Sequence, residues 1–182
     1  MVYFHGVLER QPPLKQVLRS WPLTLALSVL LPAAQAPQFE AETLSGKRLL
    51  MPQATQGKVS LLIMGFTQGS SRQTSDWAKK PQPLSDSGLC EVWSMALLEA
   101  VPRLLRGMVV RGIRSGVPKD RQDHFLIVYR SEDEVKKAVG YSPGLDADAA
   151  WLLLLGKNGT IQWQYHGVFS EDAFDTLRKQ LR

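Results

Sequence analysis

Along this chain, runs that are apolar at almost every position alternate with stretches in which apolar residues recur every three or four. Val59–Phe66, VSLLIMGF, belongs to the first kind and predicts a strand buried on both faces, in the middle of a parallel sheet covered by helices. Upstream, FEAETLSGKRLLMP (39–52) predicts two short strands around the Ser45–Gly46 turn. Downstream, Ser70 or Ser71 caps a short helix running to about Lys80, where Pro81 and Pro83 stop it, and a polar link through Gly88 leads to a second strand, Cys90–Leu97. A helix from about Leu98 to Arg114, a strand at Phe125–Tyr129 and a helix at Glu132–Gly140 follow. After the loop SPGLDADA come the strand WLLLL, a turn at Lys157–Asn158–Gly159, the strand IQWQY and a last helix, Glu171–Leu181, with Ser170 as its N-cap. Asn158–Gly159 between two apolar runs is a hairpin signal. The order argues for an α/β sheet whose later part turns antiparallel, with helices on both faces.

The first 36 residues stand apart from this pattern. Arg10, Lys15 and Arg19 precede the apolar run Trp21–Leu31, and PAAQA follows, with Ala34 and Ala36 in the small-x-small spacing of a signal-peptidase site. Residues 1–36 therefore read as a signal peptide or membrane anchor, and residues 37–182 as one domain. Pro37 directly after Ala36 disfavours a cut there and leaves open a cut after Ala34 or an uncleaved anchor. The run of 11 falls short of the roughly 20 apolar residues that span a bilayer. A buried terminal helix and a mitochondrial presequence, the latter because Glu9 is the segment's only acid, are the alternatives.

Composition sets the class without naming a chemistry. The 182 residues are 44% hydrophobic and 21% charged, the mix of one globular domain with an appendage. The net charge of +5 drops to +3 without residues 1–36, far from the footprint of a nucleic-acid binder.

The order of elements, the lead-in GKVSLLIMGF and the closing phrase WLLLLGKNGTIQWQYHGVFSEDAFDTLRKQL resemble a thioredoxin-like domain of the peroxiredoxin and extracytoplasmic thiol-reductase shape, over roughly Phe39 to Arg182. The resemblance implies a three-layer sandwich: a central mixed sheet, helices on both faces and an N-terminal strand extension. Trp77, the Gly112-Ile113-Arg114 segment in the basic stretch Arg111–Arg114, and the Gly159, Ile161, Trp163 hairpin are further similar to the assembly factors of mitochondrial ATP synthase and their bacterial relatives.

The resemblance directs attention to the turn after the first central strand, FTQGSSRQTSDW. A thiol reductase needs a low-pKa thiolate at the start of the following helix and a second thiol to release the mixed disulfide. Gln68, Gly69, Ser70, Ser71 and Arg72 supply neither, and the peroxiredoxin cysteine is missing too. The proline that the resemblance implies before the last-but-one strand falls at Ala150. Two losses thus point to a kept fold without the redox chemistry.

Cys90, the one thiol, reads as a small buried hydrophobe, with a single-cysteine oxidoreductase or peroxidase-like enzyme as the alternative. The three His residues have no ligand spacing, so no metal and no cofactor is expected. Asp146 and Asp148 lack the further ligands of a calcium loop. The turn's amides, hydroxyls and Arg72 keep open an anion or small-molecule receptor at residues 68–73. Asn158-Gly159-Thr160 is a sequon, relevant only in a eukaryotic secretory pathway.

At about 100° per residue, Leu98, Val101, Leu104, Leu105, Met108, Val109 and Ile113 fall on one side of the second predicted helix, and Arg103, Arg106, Arg111 and Arg114 on the other. One side is expected to pack on the sheet. The arginine side is either a solvated face or a docking face for an acidic protein segment or anionic headgroups. The expectation overall is a non-catalytic binding or assembly protein, acting outside the cytoplasm or at a membrane, with a membrane-complex subunit or an anionic membrane surface as partner.

Overall fold

The computed structural model describes residues 34–142 and 148–181; the apolar run Trp21–Leu31 and Asp146 lie outside them. The chain forms β1 (Phe39–Thr43), β2 (Arg48–Met51), β3 (Ser60–Gly65), α1 (Ser71–Lys79), α2 (Gln82–Asp86), β4 (Glu91–Leu97), α3 (Arg103–Gly116), β5 (Phe125–Val128), α4 (Glu132–Ala138), β6 (Trp151–Leu155), β7 (Ile161–His166) and α5 (Glu171–Gln180). The strands make one sheet in the order β2-β1-β5-β4-β3-β6-β7. β3, β4 and β5 are parallel, while β6 and β7 on one side and β1 and β2 on the other run antiparallel. The mixed sheet and the N-terminal strand extension are as expected.

Alternation along the strands divides the core between two layers of helices. Leu61 and Ile63 of β3, Val92 of β4 and Leu152 and Leu154 of β6 face Trp77 of α1 and Ala173 and Leu177 of α5. Leu62, Met64, Trp93, Met95, Leu126 and Val128 face the other way, where Val135 and Val139 of α4 cover them. Because Ile127 alternates with Leu126 and Val128, α3 lies on the α1 and α5 side, packing Val109, Val110 and Ile113 toward Ile127. At the last helix, Ser70's counterpart Ser170 does what a cap should: its Oγ accepts from the amide of Ala173 at 3.2 Å.

Two elements differ from the sequence pattern, both through proline. Instead of a polar link, Pro81 and Pro83 open α2, since the fixed φ of proline suits a first helical turn. The third long helix starts at Arg103, not Leu98. Pro102 sits at its N-cap with an extended backbone, φ −53° and ψ 136°; proline lacks the amide a helix interior needs, and it disfavours helix in the residue before it.

The later start changes which face is inward. Arg106, Val109, Val110, Ile113 and, just past the helix end, Val117 turn toward the sheet, and Leu104, Leu105 and Met108 are exposed by 97%, 46% and 58%. The seven-residue apolar stripe therefore does not pack on the sheet as one face. Arg106 is not on the open face either: its Nε donates to Val101 O and its Nη2 to Glu99 O, each at 2.9 Å, and its guanidinium lies over the Tyr129 ring at 5.5 Å. It ties down the loop that leads into α3. Arg103, Arg111 and Arg114 remain exposed.

Replacing Arg106 by Ala should lower the unfolding free energy by about 1–3 kcal/mol, since two charge-assisted bonds to backbone carbonyls are lost together. Arg103→Ala, on the exposed side, should stay within about 0.5 kcal/mol. Urea titration of the two variants checks this, and equal effects would return Arg106 to the solvated set.

Candidate functional site

Where β3 ends, the chain turns through Phe66–Ser70 into α1, and the turn consumes its own donors. The Ser70 amide donates to Thr67 Oγ1 at 3.2 Å and the Ser70 hydroxyl to Thr67 O at 2.7 Å. The Ser71 hydroxyl donates to Gln68 O at 2.7 Å, and its amide donates to the same carbonyl. Ser70 is buried, its hydroxyl so close to Gly65 that a Cβ there would overlap it. Gln68, Gly69, Ser71 and Arg72 are exposed.

The loop before β6 closes over this turn by two ties. Thr67 Oγ1 donates to Asp148 Oδ1, and the Asp148 carboxylate lies against Gly69, where any side chain would collide with it. The Ala150 amide donates to Gln73 Oε1 at 3.2 Å. A proline at position 150 has no such hydrogen to give. The structure brings the turn and Ala150 together, and the side chains that join them, Asp148 and Gln73, were not singled out for that role by the sequence. Their only signal was polarity in a turn and a loop that pattern alone leaves unconnected.

Behind the turn, Trp77 fixes α1. Its ring is fully buried, packs edge-on to Phe169 with centroids 5.0 Å apart, and donates from Nε1 to Gly167 O at 3.1 Å.

Cys90 is elsewhere. It precedes β4, and in the parallel register Ser60 pairs with Glu91 while Gly65 pairs with Ala96, so the thiol lies at the far end of β3 from the turn. Six residues of strand separate the two by roughly 20 Å. The thiol is buried, and burial pushes it up to about 12. The turn itself offers hydroxyls, amides and a guanidinium, without thiolate or imidazole, so it holds no donor set for a soft metal such as copper.

A concavity of about 580 Å³ runs between α1 and α3 over the half-buried Ser94 and Ala96 of β4. Ile63, Val92, Ala96 and Phe125 contribute to its apolar floor.

The geometry finds close parallels among solved structures. A thiol:disulfide interchange protein of the thioredoxin family from Chlorobium tepidum superposes with a TM-score of 0.53 at 14% identity, over 84% of this chain and 99% of that one. The fold is thioredoxin-like. BsSco, from the Sco family of cytochrome c oxidase assembly proteins, gives 0.54 at 14% identity over 82% and 95%, and Arabidopsis thaliana ScoI with copper bound gives 0.54 at 17% over 82% and 99%. No family model and no curated protein matches the chain. At these identities the likeness establishes the thioredoxin-like three-layer arrangement, with the chemistry left to the residues.

The buried thiol gives a signed pH dependence. Held at about 12 in the folded chain against an ordinary 9.0, Cys90 contributes its full stability below pH 9.0, and that contribution is lost as pH rises from 9.0 toward 12, where the unfolded chain binds fewer protons. Between pH 8 and pH 10.5 the stability difference between parent and Cys90→Ala should therefore move in favour of Ala. A parallel pair of curves would show a thiol that ionises as freely folded as unfolded.

Proposed function

We propose that the chain is a non-catalytic thioredoxin-like binding or assembly protein that acts outside the cytoplasm or at a membrane. The observation that carries this reading is the closed turn. Where a reductase presents a thiolate between the helix start and the loop before β6, this chain places Thr67–Asp148 and Gln73–Ala150 hydrogen bonds. An assembly role on a thioredoxin-like scaffold has a counterpart in the Sco-family structure, whose family is described as assembling cytochrome c oxidase. The receptor alternative at residues 68–73 is weakened because the Asp148 carboxylate already lies on Gly69, where an incoming anion would meet like charge.

The mature domain should neither reduce insulin-type disulfides nor consume peroxide. Turnover that survives Cys90→Ser would falsify the closed-turn reading, and turnover abolished by that change would establish the single-thiol enzyme instead.

Residues 1–36 carry the export part of the proposal. Gln35 bridges to Thr160, the Ala36 amide donates to Gly159 O at 3.0 Å, and the Ile161 amide donates to Ala34 O at 2.8 Å. A cut after Ala36 would remove all of these contacts, whereas a cut after Ala34 gives up only the Ala34 carbonyl and keeps the Gln35 bridge and the Ala36 bond, so we place any cleavage at or before Ala34. A fusion of the segment to a reporter active only outside the cytoplasm should score positive and lose activity when Leu23–Leu31 is deleted. N-terminal sequencing should then read Gln35 or an earlier residue; a start at Pro37, or a cytosolic full-length protein, contradicts this assignment.

A further inference from the structure

We infer that the groove between α1 and α3 receives an amphipathic helix of a partner protein, acidic along its polar flanks. The inference rests on the non-catalytic binding reading and names its surface and partner chemistry.

The groove exists because α3 stands away from α1. Its floor is the apolar face of β4 with Ile63 and Phe125; one wall is the hydroxyl-bearing side of α1, and the other is α3 at Gly112, Ile113 and Gly116. A Cβ at Gly112 or Gly116 would meet nothing within 4 Å, so packing among the described residues requires neither glycine. Each costs helix stability of its own. Spaced by four, they lie in one row along the helix, the row that packs against a neighbouring helix and sets how near it comes.

Angular position orders the rest of α3. Taking Arg106 as inward and about 100° per residue, Gly112, Leu105 and Gly116 face the groove, Leu104 and Met108 form the crest, Arg111 lies just beyond the crest, and Arg103 and Arg114 lie on the far flank. A partner seated in the groove and over the crest would therefore cover the three exposed apolar side chains and end at Arg111. Lys79 of α1 stands on the opposite rim. No Asp or Glu lines the groove among the described residues. Arg121, at one end, is the weaker contributor, because Asp120 already lies 3.7 Å from its Nε. The surface is an apolar centre with Lys79 on one side and Arg111 past the crest on the other, the complement of an apolar stripe with acidic flanks.

The backbone decides that the partner segment is a helix. β4 is hydrogen-bonded on both sides, to β3 and to β5, so the floor offers no free strand edge. An extended peptide would bury its own amides unpaired there, whereas a helix satisfies them internally. A lipid surface would reach the crest but not the floor. The 14 residues of α3 give a contact length of roughly 21 Å.

The full chain should be titrated with a stapled Leu/Glu amphipathic helix of about 14 residues, with its Leu/Lys counterpart, and with phosphatidylglycerol vesicles. Fluorescence anisotropy reads affinity, and amide NMR shifts at Ser94, Gly112 and Gly116 read location. The Leu/Glu helix should bind saturably and at least about tenfold more tightly than the Leu/Lys helix. Gly112→Leu should weaken it by at least about tenfold while the melting temperature holds or rises, because Leu favours helix over Gly. Changing Lys79 and Arg111 together to Gln should remove the salt-sensitive part of the affinity, and changing Arg103 and Arg114 on the far flank should not. Should Gly112→Leu unfold, Gly116→Leu carries the same arm. Binding unaffected by the filled groove, vesicle binding without peptide binding, or no saturable binding of the Leu/Glu helix overturns the proposal. Redox turnover would defeat the non-catalytic reading and leave the peptide results standing, so the two failures are distinct.

Discussion

The pair of hydrogen bonds between the start of α1 and the loop before β6 is the constraint on which the functional reading turns. Thr67 reaches Asp148 and Gln73 reaches the Ala150 amide, so two segments 77 or more residues apart in sequence are joined at the place where a thioredoxin-like fold meets its substrate. Each tie has a steric counterpart. Gly69 leaves room for the Asp148 carboxylate, and Gly65 leaves room for Ser70. With Trp77 anchoring the other end of the helix to Gly167, α1 is held from both sides. The turn and the loop before β6 thus form a structural joint.

A second constraint, the missing amide of Pro102, shapes the opposite side of α1. By delaying α3 to Arg103 it sends Arg106 inward to the carbonyls of Glu99 and Val101 and leaves Leu104, Leu105 and Met108 outside. Glu99 in turn accepts from the Glu132 amide at 2.8 Å, so the loop created by the delay also secures the start of α4. Exposed leucines beside an uncovered strand face are costly to leave in water unless something covers them. The same short loop thus organises one helix, caps another and opens the groove.

The groove borders the turn at Thr67 and Ser70, and the two regions differ in how their groups are satisfied. The turn is satisfied from within the chain, with hydroxyls, amides and a carboxylate paired to each other. The groove is left open by the described residues, with Leu104, Leu105 and Met108 exposed at its edge and a half-buried apolar floor at Ala96 and Phe125. Surface that the chain completes by itself supports a fold, and surface that it leaves incomplete calls for a partner.

The strand and helix order, the Ser170 cap, the hairpin at Asn158–Gly159 and the absence of a thiol from residues 68–73 were all determined by the sequence alone. They rest on local rules: continuous apolarity for doubly covered strands, positive φ for Gly159, and thiolate chemistry that other side chains cannot supply. Three things were decided only by tertiary structure. The Asp148 and Gln73 ties join segments whose separation no periodic pattern encodes. The inward turn of Arg106 depends on carbonyl groups that become available only once Pro102 has displaced the helix start. Cys90's place far from the turn follows from the parallel register of β3 and β4. Pattern specifies which face of an element is apolar, but which of two apolar faces is buried depends on where the element begins and what it meets, and for α3 that was settled by one proline and one sheet.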